Sequence, residues 1–280
     1  MEFKDEELGR VIDFMEKERE KVRRIASRSL LHEARLSYAA IGELIDRVEL
    51  IPQGKAAAID QPFAAAKTFL PSTLIRTQLR LASHYIQAAD NTGSPTLSSF
   101  VVLRAAVECT ATAHWLMSGG SHRENVGRVL KRMWWDTQSA ADMATAADSN
   151  PDLSGLSDLR GKIAVITQAI KRLDAETITT STRVSLSGIV KEASRAVRPG
   201  DPTQMYTTWM VCAAISHGNI PVSAGAGLAS ASIQQPGKHP IDESAYAQLL
   251  SVAVVDLTTT AELFERHAAE QHTHRLPDKP

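Results

Sequence analysis

The run LSSFVVLRAAVECTATAHWLM, residues 97–117, contains only Arg104, Glu108, Cys109 and His114 as ionisable side chains, and Gly119-Gly120 follows it closely. No proline or glycine interrupts it, and its apolar residues leave no wide polar face at a 3.6-residue period. A helix of that kind needs neighbours on several sides, so this stretch predicts the central helix of an all-α bundle. A second run, MYTTWMVCAAISH over 205–217, holds no carboxylate or strong base before Gly218-Asn219 breaks it. It predicts a second central helix. Arg, Glu and His are seldom buried without a partner, so Arg104, Glu108 and His217 are expected to meet where the two helices pack.

Working outward, the punctuation predicts about eight or nine helices. Residues 5–49 lack proline; Leu8, Ile12, Met15, Val22 and Ala26 recur at alternating four and three spacing with Arg19 filling one seam position, and Leu30, Ala34, Ser37, Ile41, Leu44 and Val48 continue it one residue out of phase. That is the seam of a long helical arm over 1–52, packing on the body or on a second copy and predicting a homo-oligomer. The bundle itself spans 55–271. Its further helices are expected over 56–69, disturbed by Pro62, then over 71–90, 121–147 with the capping-box pattern Ser121-x-x-Glu124, 157–173, 182–197 and 242–270. The central runs are placed at 95–117 and 203–216. Residues 272–280 read as a disordered tail, and no stretch alternates as a strand does.

Composition narrows the function classes. The chain has 280 residues, 43% hydrophobic and 22% charged, with Lys plus Arg at 31 against Asp plus Glu at 32. There is no overall basic field to gather nucleic acid, so any polyanion site must be local. The opening MEFKDEELGR is charged from its second residue, unlike a signal peptide, and neither apolar run reads as a membrane span. A cytoplasmic protein off the membrane is expected, with Cys109 and Cys212 as reduced core thiols. No Glu-x-x-His pair occurs, which argues against a di-iron carboxylate bundle; no metal or cofactor is expected.

Three groups of residues could carry chemistry. Arg104 and Glu108, four apart, share a helix face that Ala111 and Trp115 extend. They form either an ion pair at the edge of the core or a fork held ready for a phosphate or carboxylate, with Glu108 also able to accept a proton. His217 stands at a helix end beside Ser216 and Asn219: it either caps that end or serves as an acid-base group. Arg123, Arg128, Lys131 and Arg132 lie close to Trp134 and Trp135, a mixture of bases and aromatics that could bind RNA. In the plainer reading the bases are solvated, while Val126, Val129, Leu130 and Met133 form the buried side.

The combination of Arg104-x-x-x-Glu108, a later apolar helix ending in Ser216-His217-Gly218 and a trailing amphipathic helix resembles a group of bacterial, often actinobacterial, all-helical proteins. The resemblance covers residues 95–270. These proteins are distantly similar to HEPN domains, helical modules of toxin and phage-defence systems, many of them metal-independent ribonucleases with an Arg followed after four to six residues by His. The resemblance implies His217 as the acid-base residue and Arg104 as the phosphate-stabilising residue, oriented by Glu108. Met210, Val211 and Cys212 occupy the positions where the family motif would place its Arg relative to His217. Arg266 and His272 do have the family spacing, and would make a second site. The alternative is a non-catalytic helical module for interaction or assembly.

Overall fold

The computed structural model describes residues 26, 29–34, 41–43, 58–90, 95–148, 150–170, 183–218 and 243–270. Every regular element among them is helical, as the two apolar runs predict. A single 3-10 turn at Ala58–Asp60 leads into α1 (Gln61–Ala65) and α2 (Pro71–Asp90). Then follow α3 (Leu97–Met117), α4 (His122–Ala147), α5 (Ser154–Ala169), α6 (Leu186–Val197), α7 (Gln204–Ser216) and α8 (Glu243–Glu270).

Helix α3 is the axis of the bundle, packed against α2, α4, α6, α7 and α8. From Thr110 to Met117 every residue is buried. That explains the missing polar stripe: the C-terminal half of α3 has no solvent side on which to put one. α7 packs on α3, α6 and α8, and buries Met205, Cys212 and Ile215. The core reaches from Phe63 at one edge through Phe100, Leu103 and Leu116 to Leu250, Leu257 and Phe264 of α8. The Phe100 and Tyr246 rings meet edge to face at 5.4 Å, and the Tyr246 hydroxyl donates to the Ala89 carbonyl at 2.8 Å.

Local chemistry moves several ends from their expected positions. α3 begins at Leu97 because Thr96 caps it: the Thr96 side chain accepts from Ser99 N at 3.3 Å and Ser99 Oγ accepts from Thr96 N at 3.1 Å. Ser121 caps α4 as expected. Its partner Glu124, however, reaches Gly120 N at 2.8 Å, one residue upstream of the reciprocal bond that a capping box requires. The helix expected over 56–69 is only the 3-10 turn and the five residues of α1, since Pro62 is tolerated in a first turn but not further in. α5 starts three residues early at Ser154, and α6 starts at Leu186, where Ser185 caps it.

Two buried carboxylates tie elements together. Asp60 sits at the N-terminus of α2 and accepts from Ser72 N at 2.9 Å and from the Ser72 hydroxyl at 2.5 Å. Asp256 of α8 accepts from Arg198 Nε at 2.6 Å, while Arg198 Nη2 donates to the Val252 carbonyl at 3.2 Å and Nη1 to Gln204 Oε1. Arg198 therefore pins the turn between α6 and α7 to α8.

Of the arm, the described residues are few but informative. Ala34 and Ile41, both on the seam read from the sequence, lie in the core, and Leu31 packs against it. The tail 272–280 and Asn219 lie outside the described residues. By length and composition, the stretch Glu243–His267 of α8 is apolar enough to cross a membrane, and 56% of that window is buried inside the bundle.

Candidate functional site

Arg104 and Glu108 face α7 from one turn of α3. Arg104 Nε donates to Glu108 Oε1 at 2.8 Å, and Trp209 Nε1 of α7 donates to the same oxygen, also at 2.8 Å. The Arg104 guanidinium lies 5.6 Å from the centre of the Trp209 ring, whose neighbour Tyr206 stacks on it at 5.9 Å. Arg104 Nη1 then reaches His217 Nε2 at 3.1 Å, across 113 residues of sequence. The three residues singled out from sequence thus form one continuous group.

The positions follow from the helices. Residues 104 and 108 are one turn apart on α3, and 209 and 217 lie about two turns apart on α7, so both pairs meet along the α3–α7 contact. His217 is the C-cap of α7: its N–H donates to the Ala213 carbonyl at 3.0 Å. Gly218 follows with φ +68°, a left-handed turn that lets the chain leave sharply after the imidazole.

Guanidinium groups only donate, so in this contact His217 Nε2 presents its lone pair and the ring proton sits on Nδ1. Arg104 and Glu108 each keep about a quarter of their side chain exposed, and His217 is exposed. Two of the five Arg104 N–H groups are committed among the described residues, which leaves donors for an anion arriving from solvent. The group therefore has a fixed donor fork, an imidazole nitrogen able to accept a proton, and a carboxylate that orients the fork.

Ser216 plays no visible part in it. Its hydroxyl donates to the Cys212 carbonyl at 2.7 Å, inside its own helix. Burial pushes the Cys212 thiol up to about 12 and the Cys109 thiol up to about 11, the Glu108 charge adding to the latter. Neither is a nucleophile at neutral pH.

The bases of α4 divide. Arg128 is spent on structure: it donates to the Trp115 carbonyl at 2.7 Å, pairs with Glu124 at 2.6 Å and with Glu192, and covers the Trp115 ring at 5.1 Å. Trp115 Nε1 also donates to Glu192, at 2.9 Å, so these residues clamp α3, α4 and α6 together. Arg128, one of the bases expected to meet RNA, thus has these structural partners and only 12% of its side chain exposed. Arg132 pairs with Asp136 at 2.8 Å, and both, with Lys131, border a cleft of about 330 Å³. Glu108, Cys109, Trp115, Trp135 and Arg183 also line this cleft, so Glu108 stands between it and the Arg104–His217 group.

Sequence reasoning missed Trp209, Arg183 and Glu192. Trp209 carried a signal, since it precedes His217 by eight residues on the same helix. Arg183 and Glu192 carried none, because their roles arise only from the packing of α6 on α3 and α4. His267 is described but His272 is not, so the second Arg266–His272 site lies outside the described residues. Among the described residues no group of three or more His, Cys, Asp or Glu is placed to hold a metal ion. Comparisons with protein-family models, curated proteins and solved structures returned no match.

Proposed function

We propose that the Arg104–Glu108–His217 group binds a phosphodiester, and that the protein is a HEPN-like, metal-independent ribonuclease of a defence or toxin-type system. The contact between Arg104 Nη1 and His217 Nε2 at 3.1 Å carries the reading. It puts a cation suited to phosphate next to an imidazole nitrogen with a free lone pair, at an exposed helix end. The resemblance of the Arg104-x-x-x-Glu108 and Ser216-His217-Gly218 motifs to HEPN-like proteins supplies the reaction class.

In this reading an RNA phosphate takes over the Arg104 fork, which releases His217 Nε2. The imidazole then removes the proton of the adjacent 2′-hydroxyl. The 2′-oxygen attacks phosphorus, the bond to the 5′-oxygen breaks, and that oxygen takes a proton from a water whose hydroxide the His217 imidazolium neutralises, which restores the neutral ring. The products are a 2′,3′-cyclic phosphate and a 5′-hydroxyl. Arg104 stabilises the charge that builds on the phosphoryl oxygens, and Glu108 with Trp209 holds Arg104 in place.

Single-stranded RNA should be cut in the presence of a chelator while the matching DNA stays intact, because only RNA carries the internal nucleophile. His217→Ala should abolish cleavage and Arg104→Lys should reduce it by at least about tenfold through loss of the planar fork. Equal activity of wild type and His217→Ala would sink the assignment.

One observation favours a second reading, a non-catalytic assembly module. Glu108 is bonded from both Arg104 and Trp209, which by itself makes a satisfactory staple between α3 and α7. In that case no RNA is cleaved, and His217→Ala changes neither binding nor stability.

A further inference from the structure

The cleft beside Glu108 has a chemistry that the packing of the bundle does not require. Its walls come from α3, α4, the start of α6 with Arg183 and Val184 before it, and Gln78 of α2, and its volume of about 330 Å³ suits a small ligand. Three bases line it, Lys131, Arg132 and Arg183, against two acids, Glu108 and Asp136. The acids are already engaged: Glu108 accepts from Arg104 and Trp209, and Asp136 from Arg132. Lys131 and Arg183 have no ion pair or hydrogen bond among the described residues. Among the described residues, then, two cations without a partner face a hollow in which each carboxylate already accepts from a donor, which favours an anionic occupant and disfavours a cationic one.

The remaining lining decides the shape of that anion. Trp135 is half-buried at the wall, while one face of Trp115 is covered by the Arg128 guanidinium. Val184, Leu186 and Ile189 supply an apolar side, and the Cys109 thiol stays protonated at neutral pH and adds to it. A simple inorganic anion would leave this apolar surface wet; a planar ring would cover it.

We propose that this cleft is a binding site for a small planar anion, an aromatic ring carrying a phosphate or a carboxylate. The ring packs between Trp135 and the apolar residues of α6, and the charge is met by Lys131 and Arg183. The site is separate from the proposed phosphodiester centre and does not depend on it for its chemistry. Glu108 nevertheless forms a wall of the first and the anchor of the second.

Tryptophan fluorescence of the full chain, titrated with 5′-UMP, with benzoate and with inorganic phosphate, tests the proposal. Saturable quenching by one or both aromatic anions is expected, with inorganic phosphate at least about tenfold weaker, and the stronger of the two identifies phosphate or carboxylate as the preferred group. Lys131→Gln and Arg183→Gln should each weaken that binding several-fold; both side chains lack described partners, so circular dichroism should show an unchanged fold. His217→Ala should bind as wild type does, which separates this site from the cleavage reading. No saturable quenching by either aromatic anion would overturn the proposal, as would binding undiminished in both glutamine variants.

Discussion

At Glu108 a single carboxylate oxygen accepts from two helices, so its removal strands Arg104 and the Trp209 indole together. Full burial of that pair would put the cost of Glu108→Ala near ~3 kcal/mol. With about a quarter of each side chain exposed, water compensates in part, and a loss of about 1–2 kcal/mol is expected by chemical denaturation. An unchanged midpoint would mean that the network holds nothing.

Two other buried groups set the pH response, with opposite signs. Burial, aided by the charges of His267 and Arg128, pushes His114 down from 6.5 to about 4. The unfolded ring takes a proton that the folded ring resists, so this contribution is complete above pH 6.5 and is lost as pH falls toward 4. Burial raises Asp256 from 3.8 to about 6 despite Arg198, and its Oδ2 has no partner among the described residues. Its proton-linked contribution is complete below pH 3.8 and is lost as pH rises through 6. Between pH 6 and 4 the two oppose each other. His114→Gln should therefore tilt stability upward on acidification relative to wild type, and Asp256→Asn downward, by about 1 kcal/mol per pH unit at most. Unfolding midpoints at three pH values read the slopes; parallel slopes in all three proteins would contradict this origin.

The helices were legible where composition alone decides them. The 97–117 run showed its central position because eight successive buried residues, 110–117, exclude any solvent face. Its start was misread at Pro95, since the Thr96–Ser99 reciprocal bonds look like any polar pair in sequence. Helix–helix partners were less legible: the Arg104–His217 approach follows from two apolar helices needing each other, whereas the Trp115–Arg128–Glu192 clamp depends on how α6 crosses, which no periodicity encodes. The arm yields a prediction at this scale. Ala34 and Ile41 sit in the core, so deleting residues 1–49 should expose apolar surface and lead to aggregation in light scattering. A monodisperse truncation with the full-length subunit count and melting temperature would show that the arm is neither core nor interface.

Across the whole molecule, near-balanced charge leaves recognition to local features: one guanidinium beside one imidazole at the α3–α7 seam, and two bases at the adjoining cleft that have no partner among the described residues. On the proposed function, the first of these features receives a phosphodiester. The most direct measurement is nitrogen NMR of the His217 ring during titration with a dinucleotide whose attacking 2′-hydroxyl is replaced by hydrogen, so that it binds without being cut. The Nε2 resonance should start as an acceptor nitrogen and shift saturably as Arg104 turns to the phosphate, and Arg104→Ala should remove the shift. A His217 resonance that stays fixed through millimolar dinucleotide would contradict the proposed function.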